Sequence, residues 1–271
     1  MLPTFCAFII GFIVPFSEGL YLSFCKFTTI KKATWVGLSN YAKVFQDAQF
    51  WDSLTFTASF TVVSTILINV LAFAIALALT KGIIGTNVFR TVFFMPNLIG
   101  GIVLGYIWNI LINCLLSLIG SPLLALNTTA GYWGMIVLMC WQQIGYMMII
   151  YIAGLQSIPN ELIEAARIDG ATARQTLFQV KIPNVMPAIT FCLFLTQSHS
   201  FKLFDQNLAL TGGDPNHQTE MLALNIYNNF YARSGAAWKG IGQAKAVIFC
   251  IMVIAISMIQ LTATRSKEVQ Q

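Results

Sequence analysis

Six stretches of this 271-residue sequence are long and apolar enough to cross a lipid bilayer. A spanning helix needs about 20 predominantly apolar residues, and helices are favoured because they satisfy their own backbone hydrogen bonds. Hydrophobic residues make up 57% of the chain and charged residues only 9%, whereas soluble domains carry about 25% charged residues. The sequence therefore predicts an all-α integral membrane protein, one domain over residues 1–271, with spans at about 4–25, 54–80, 90–113, 131–153, 184–206 and 241–262.

Several function classes are disfavoured by what the sequence lacks. No polar block is long enough for a soluble catalytic domain, and no run of Lys and Arg indicates nucleic-acid binding. The six cysteines form no CxxC pair, so neither a metal site nor a disulfide framework is predicted. The first apolar stretch lacks the charged start and cleavage site of a signal peptide, so we expect it to be retained as a span. The nucleotide-binding pattern GxxxxGK[ST] is also missing, which assigns any ATP site to another chain.

Residues 157–187 interrupt the apolar pattern with the polar sequence SIPNELIEAARIDGATARQTLFQVKIPNVMP. Pro159 can open a first helix, and Asp169-Gly170 supplies a turn with a residue free to adopt a positive φ. Thr172, followed three residues later by Gln175, is a capping-box pattern for a second helix. The segment therefore predicts a helix, a turn and a helix. On physical grounds alone, such a pair could also lie on the membrane surface, and Lys and Arg are too evenly distributed to give an orientation.

The same segment resembles the EAA loop of permeases of binding-protein-dependent ABC importers. The matching positions are Glu164-Ala165-Ala166, Gly170, Val180 and Ile182-Pro183. Val180 and Ile182 replace the Ile and Leu of the family pattern and preserve their apolar character. The resemblance implies the six-helix type I importer fold, with this loop in the cytoplasm, docked on an ATPase subunit. It also implies that both chain termini are cytoplasmic.

Further matches extend over nearly the whole chain and indicate the carbohydrate-uptake branch of that family, which includes maltose, multiple-sugar and glycerol-3-phosphate importers. The segments that carry them are Trp35-Val36-Gly37-Leu38-Ser39-Asn40-Tyr41, Phe50-Trp51, Arg90-Thr91 to Pro96, and Leu210-Thr211-Gly212-Gly213-Asp214-Pro215. Asp214 stands where the family has a glycine. The resemblance implies a non-enzymatic transporter subunit of the bacterial cytoplasmic membrane that translocates a sugar, most consistent with an oligosaccharide, by alternating access.

The resemblance also implies partners. These are a second homologous permease, two ATPase subunits and an extracellular or periplasmic sugar-binding protein. ATP and Mg²⁺ would be bound by the ATPase, so no cofactor is expected on this chain.

Two groups of candidate site residues follow. The predicted ATPase-coupling residues are Glu164, Ala165, Ala166, Asp169, Gly170 and Ala171. Polar and aromatic residues within spans, which usually face a protein interior or a water-filled cavity, form the predicted substrate path: Asn109, Trp141, Gln142, Gln143, Tyr146, Gln197, His199, Phe201, Lys202 and Asp205. Helical spacing predicts that Gln197, Phe201 and Asp205 share a face. Lys202 and Asp205 could equally pair with each other, and Asn109 could instead join helices.

Three other functions remain open at this stage. The chain could be a permease for a non-sugar solute, a secondary transporter or an intramembrane enzyme. The segments at 35–41 and 210–215 disfavour the first, and no internal repeat supports the second. No HExxH, GxSxG or paired carboxylates within spans support the third. The sequence does not identify the sugar.

Overall fold

The computed structural model describes residues 2–82, 84–233 and 235–265, and these residues are almost entirely helical. Within these ranges, a single two-stranded hairpin lies between the first two spans, with Cys25 opposite Trp35. In chain order the elements are α1 Leu2–Phe8, α2 Val14–Ser23, β1 Cys25–Phe27, β2 Ala33–Trp35, α3 Ser39–Gln46, α4 Ala48–Leu79, α5 Thr86–Phe94, α6 Gly101–Leu118, α7 Thr128–Gln156, α8 Asn160–Ile168, α9 Ala173–Gln175, α10 Ile182–Asn184, α11 Met186–Phe201, α12 Asp205–Leu210, α13 Leu222–Tyr231 and α14 Ala236–Arg265.

Within the described ranges, five helices are each long and apolar enough to cross a membrane. They are Pro3–Ser23, which joins α1 and α2 through a π-helical stretch, and α4, α6, α7 and α14. A sixth span arises if Ala173–Asn184 and α11, which meet at a bend of 70°, are counted together. The 16 residues of α11 reach only about 24 Å, less than the roughly 30 Å of a hydrocarbon core. The all-α, six-span prediction is therefore confirmed, with one span bent.

The predicted span at 90–113 is wrong in its bounds. The helix α5 ends at Phe94, a short 3₁₀ turn follows over Met95–Leu98, and α6 starts only at Gly101. Pro96 lies inside that 3₁₀ turn, and proline cannot donate the amide hydrogen bond that would continue an α-helix. Hydropathy averages over such a break, because the residues on both sides of it are apolar. The remaining predicted spans coincide with observed helices, whose ends differ by no more than about two helical turns.

The predicted span at 184–206 also ends too late. The helix α11 stops at Phe201, and residues 202–204 turn the chain before α12 begins at Asp205. Asp205 therefore belongs to a different helix from Gln197 and Phe201, and the shared face predicted for these three residues does not form. The carboxylate of Asp205 instead lies in the first turn of α12, where it suits the positive end of the helix dipole.

The core is built around α7, which packs along α4 and is also contacted by α5 and α11. Two glycines allow the closest helix approaches. A Cβ atom added at Gly145 would overlap the backbone of Phe93 at the end of α5, and one added at Gly105 would lie 2.5 Å from the Cβ of Ala209. The second approach explains how α6 packs against α12. A Cβ atom added at Gly101 would likewise lie 2.9 Å from the Cβ of Asp205, so both glycines of this GxxxG spacing bring α6 close to α12.

Candidate coupling surface and substrate cavity

The helix α8 carries the predicted coupling residues and ends in a tight glycine cap. Gly170 adopts φ 76°, and its N–H donates to the carbonyl of Arg167 (3.1 Å), while the N–H of Ala171 donates to the carbonyl of Ala166 (2.9 Å). These two bonds form a Schellman cap, which requires a left-handed residue at this position. The turn predicted at Asp169-Gly170 is therefore confirmed.

The second helix of the segment starts with the predicted capping box. The backbone N–H of Thr172 donates to Oε1 of Gln175 (2.8 Å), and the backbone N–H of Gln175 donates to Oγ1 of Thr172 (3.3 Å). The chain then continues through a π-helical stretch, Thr176–Lys181, into α10. Two consecutive caps fix α8 and the following helix relative to one another with local interactions alone.

The two sides of α8 differ in character. Glu164 and Ala165 are exposed, and the side chain of Ile168 on the same side is 86% exposed. Ile163 and Arg167, one turn apart, lie on the other side and line an open cavity that also borders the end of α4. Ala166 and Ala171 are half-buried, so of the predicted motif only Glu164 and Ala165 share the outward side with Ile168, and Asp169 is exposed at the end of the helix. Ile168 therefore leaves its apolar side chain unpacked at the end of α8.

At the far end of α11, several predicted path residues converge on a cavity of about 270 Å³. The residues that line it come from α7, α11, the break that follows it and α12; they are Met139, Gln143, His199, Lys202, Leu203, Phe204, Asp205 and Gln206. Four of these, Gln143, His199, Lys202 and Asp205, are predicted path residues. The break at 202–204 is what brings them together, because it turns Lys202 and Asp205 toward α7.

Two kinds of polar interaction are left open in this cavity, an ion pair and a hydrogen bond. No atoms of Lys202 and Asp205 lie within salt-bridge distance, so the pairing considered from their spacing does not form. Gln143 is buried, and its Oε1 accepts no hydrogen bond from any residue of the described chain. A buried acceptor without a donor costs about 1–3 kcal/mol. The cavity thus offers an unmet acceptor beside a cation and an anion.

Gln206 lines the cavity and is absent from the sequence-based set. Its Nε2 donates to Oε1 of Gln142 (2.7 Å), and Nε2 of Gln142 donates to the carbonyl of Ile99 (3.2 Å). Gln142 therefore holds Gln206 in place and connects it to the helix break before α6. Its position next to Asp205, at the start of a polar segment, is the sequence signal that could have identified Gln206.

The other predicted path residues lie outside this cavity. Asn109 donates to the carbonyl of Leu210 and so joins α6 to α12. Trp141 packs against Trp108, with ring centroids 5.6 Å apart, and Tyr146 lies 6.4 Å from the ring of Phe94. The remaining two are Gln197, which is half-buried, and Phe201, which is buried.

A buried charge network at the opposite end of the molecule from α8 was also missed. The side chain of Lys245, on α14, is fully buried and its Nζ lies 2.7 Å from Oδ2 of Asp47. Gln49 donates to Oε2 of Glu220 (2.6 Å) and accepts from Nη2 of Arg233 (2.7 Å). Two cations and two anions are thus held together. A lysine inside an apolar span was the available signal, because such residues are rare and paired.

The comparisons with known proteins agree with this architecture. Residues 70–265 match the family described as "Binding-protein-dependent transport system inner membrane component". The chain is 43% identical to the "Probable starch degradation products transport system permease protein AmyD" of Thermoanaerobacterium thermosulfurigenes, over 99% of this chain and 93% of that protein. It is 33% identical to the "Multiple sugar-binding transport system permease protein MsmF" of Streptococcus mutans serotype c, over 96% of this chain and 92% of that protein.

A solved structure shows the same fold. A chain of a bacterial ABC transporter involved in the import of the acidic polysaccharide alginate superposes with a TM-score of 0.84 at 21% identity, covering 98% of this chain and 93% of that chain. These matches confirm the family resemblance inferred from the EAA segment. They also confirm the expectation that the chain is a transport component and not an enzyme. The chain is a multi-pass membrane protein that belongs to the family of inner-membrane components of binding-protein-dependent transport systems.

Proposed function

We propose that this chain is the permease subunit of an ATP-driven importer and that it translocates a sugar, an oligosaccharide in particular, by alternating access. The named relatives that support the sugar are transport permeases for starch degradation products and for multiple sugars. The observation in this molecule that carries the proposal is the cavity of about 270 Å³ with its unsatisfied buried acceptor at Gln143.

The chemistry of the cavity suits a polyhydroxylated solute. A sugar hydroxyl can donate to Oε1 of Gln143 and accept from Nζ of Lys202, while the carboxylate of Asp205 accepts from another hydroxyl. Phe204 supplies an apolar wall, and its ring is held by Tyr227 at a centroid distance of 5.1 Å. Mixed hydrogen-bonding and aromatic lining is what a ring with polar edges and apolar faces requires.

We further propose the assembly in which the chain acts. A second permease completes the pathway, an extracellular or periplasmic binding protein delivers the sugar, and two ATPase subunits bind ATP and Mg²⁺. The outward side of α8, with Glu164, Ala165 and Ile168, docks on one ATPase, which makes that end of the molecule and both termini cytoplasmic. ATP can shift the equilibrium between inward-open and outward-open states only if the ATPase contacts this surface differently in the two states.

The test is copurification followed by sugar-dependent ATP hydrolysis. The chain, tagged and extracted from its own membrane in mild detergent, should recover one second permease and two ATPase copies. In the reconstituted complex, Gln143→Leu should raise the sugar concentration for half-maximal stimulation of hydrolysis about threefold to tenfold, because one buried hydrogen bond contributes about 0.5–1.5 kcal/mol.

A matched control is Gln260→Leu. Gln260 is a second glutamine in a span whose buried Oε1 lacks a partner, and it does not line this cavity. Its replacement should leave the half-maximal concentration unchanged. Recovery of the chain alone, with ion-driven uptake intact, would contradict the importer proposal, and stimulation by an amino acid but no sugar would contradict the substrate class.

A further inference from the structure

A second cavity, of about 670 Å³, lies between the end of α4, the inner side of α8 and the helix that follows it. It is larger than the cavity near Gln143 and contains none of the predicted path residues. Its lining includes four cationic side chains and no acidic one; the four are Lys81, Arg167, Arg174 and Lys181. We refer to these four residues as the basic cluster.

The basic cluster has no salt-bridge partner in the described chain. No carboxylate lies within salt-bridge distance of any of the four side chains. The guanidinium carbon of Arg174 lies 6.0 Å from the ring centroid of Phe178, which is a cation–π contact. The nearby acidic residues Glu161 and Glu164 belong to the same short helix as Arg167 and do not line the cavity. Four cations facing one space repel each other, and a bound anion would relieve that repulsion.

The position and walls of the cavity indicate the source of the anion. Lys81 follows the end of the long apolar helix α4, and Lys181 lies near the end of Ala173–Asn184, just before the bend that leads into α11. Both therefore lie close to the end of an apolar helix, which is the level of lipid headgroups. Apolar side chains of Leu77, Ile163 and Leu177 complete the lining. A soluble anion would make no favourable contact with this apolar lining, whereas a phospholipid presents a phosphate joined to apolar chains.

We propose that the basic cluster binds the phosphate headgroup of an anionic phospholipid. Basic pockets between spans at the cytoplasmic side suit such headgroups. The assignment to the inner leaflet rests on the proposed function, which places α8 in the cytoplasm. Because Arg167 belongs to α8 and Lys81 to the segment after α4, the bound lipid ties the coupling helix to the membrane domain, and the transporter senses the anionic lipid content of its leaflet.

The experiment measures lipid retained by the purified complex in mixed micelles of phosphatidylglycerol and phosphatidylcholine, quantified by mass spectrometry. The variant Arg174→Gln with Lys181→Gln should bind phosphatidylglycerol about 25-fold more weakly, at about fivefold for each charge removed. The charge-conserving variant Arg174→Lys with Lys181→Arg should retain it. The matched control removes two exposed lysines of the β1–β2 hairpin region, Lys31→Gln with Lys32→Gln, and should change nothing.

Three results would overturn the proposal. One is equal retention of phosphatidylglycerol by the wild-type complex and the Arg174/Lys181 glutamine variant. Another is saturable binding of inorganic phosphate without lipid selectivity, which would assign the cavity to a soluble anion. The third is retention by the isolated chain but not by the complex, which would show that a partner subunit occupies the cavity. Failure to copurify with an ATPase would affect only the proposed function, since lipid retention is measurable on the chain alone.

Discussion

The buried ion pair between Lys245 and Asp47 gives a quantitative test of how this membrane domain is held together. Nζ of Lys245 lies 2.7 Å from Oδ2 of Asp47 and 2.7 Å from Oδ1 of Asn225. The lysine side chain is 0% exposed and the aspartate 22%. The ammonium therefore cannot regain water if its partner is lost, whereas the carboxylate can in part. The two single replacements should consequently differ in cost.

Asp47→Asn isolates the charge, because Asp47 also caps α4 by accepting from the backbone N–H of Gln49 (3.1 Å) and asparagine caps helices equally well. Removing one partner of a buried pair costs about 3–5 kcal/mol. The partial exposure of Asp47 places this case at the low end, at about 3 kcal/mol. Lys245→Met leaves only the Asp47 carboxylate, which is 22% exposed, without its partner and should cost about 1–2 kcal/mol.

The assay is a double-mutant cycle on the apparent free energy of unfolding of the purified chain, titrated from mild detergent into sodium dodecyl sulfate. The double variant should be less destabilised than the sum of the single variants by at least about 1.5 kcal/mol, as expected for residues in direct contact. Lys239→Met, on the same helix, loses only a 3.1 Å hydrogen bond to the carbonyl of Thr28 and should cost less than about 1 kcal/mol. Additive single and double effects would refute the pairing.

Further predictions concern the coupling cap and two helix contacts. Gly170→Val should uncouple ATP hydrolysis from sugar uptake in vesicles, because a β-branched residue is strained at a positive φ; Gly170→Asn tolerates that conformation and should stay coupled, and tight coupling of the valine variant would contradict this. Gly145→Ala should strongly reduce the amount of folded chain in the membrane, since its Cβ would overlap the backbone of Phe93; normal levels would contradict that approach. Trp141→Ala should leave the half-saturating sugar concentration within about twofold. It should lower the free energy of unfolding by about 1 kcal/mol through loss of the contact with Trp108. A large rise in the half-saturating concentration would instead place Trp141 on the path.

The features that the sequence predicts best depend on residues close together along the chain. The capping box at Thr172 and the left-handed Gly170 are local, because every atom involved lies within a few residues. The six apolar stretches are also local in this sense, since each is recognised by length and composition. These features required no knowledge of which helix packs against which.

The helix breaks and the cavity could not be predicted in the same way. In the predicted span at 184–206, the polar residues His199, Lys202 and Asp205 alternate with apolar ones, so the sequence gives no sharp end, although α11 ends at Phe201. Lys202 and Asp205 line a cavity whose other wall is supplied by Met139 and Gln143 of α7, about 60 residues earlier in the chain. Lys245 was missed for a related reason. One charge does not remove an apolar window from consideration, and its partner Asp47 is 198 residues away.

The same chain segment connects the proposed coupling surface to the proposed substrate cavity. After the 70° bend at the end of α10, α11 runs without interruption to Phe201, and its residue His199 lines the cavity. Along its length α11 is packed against α4, α7 and α14, and close-packed interiors deform little. Under the proposed function, a displacement of α8 by an ATPase would therefore not be absorbed within α11 and would move the cavity end of that helix relative to the second permease. The proposed alternating access accordingly requires rigid-body movement of the α4–α7–α11 core, with the hydrogen-bonded caps around Gly170 and Thr172 as the proposed link to the ATPase.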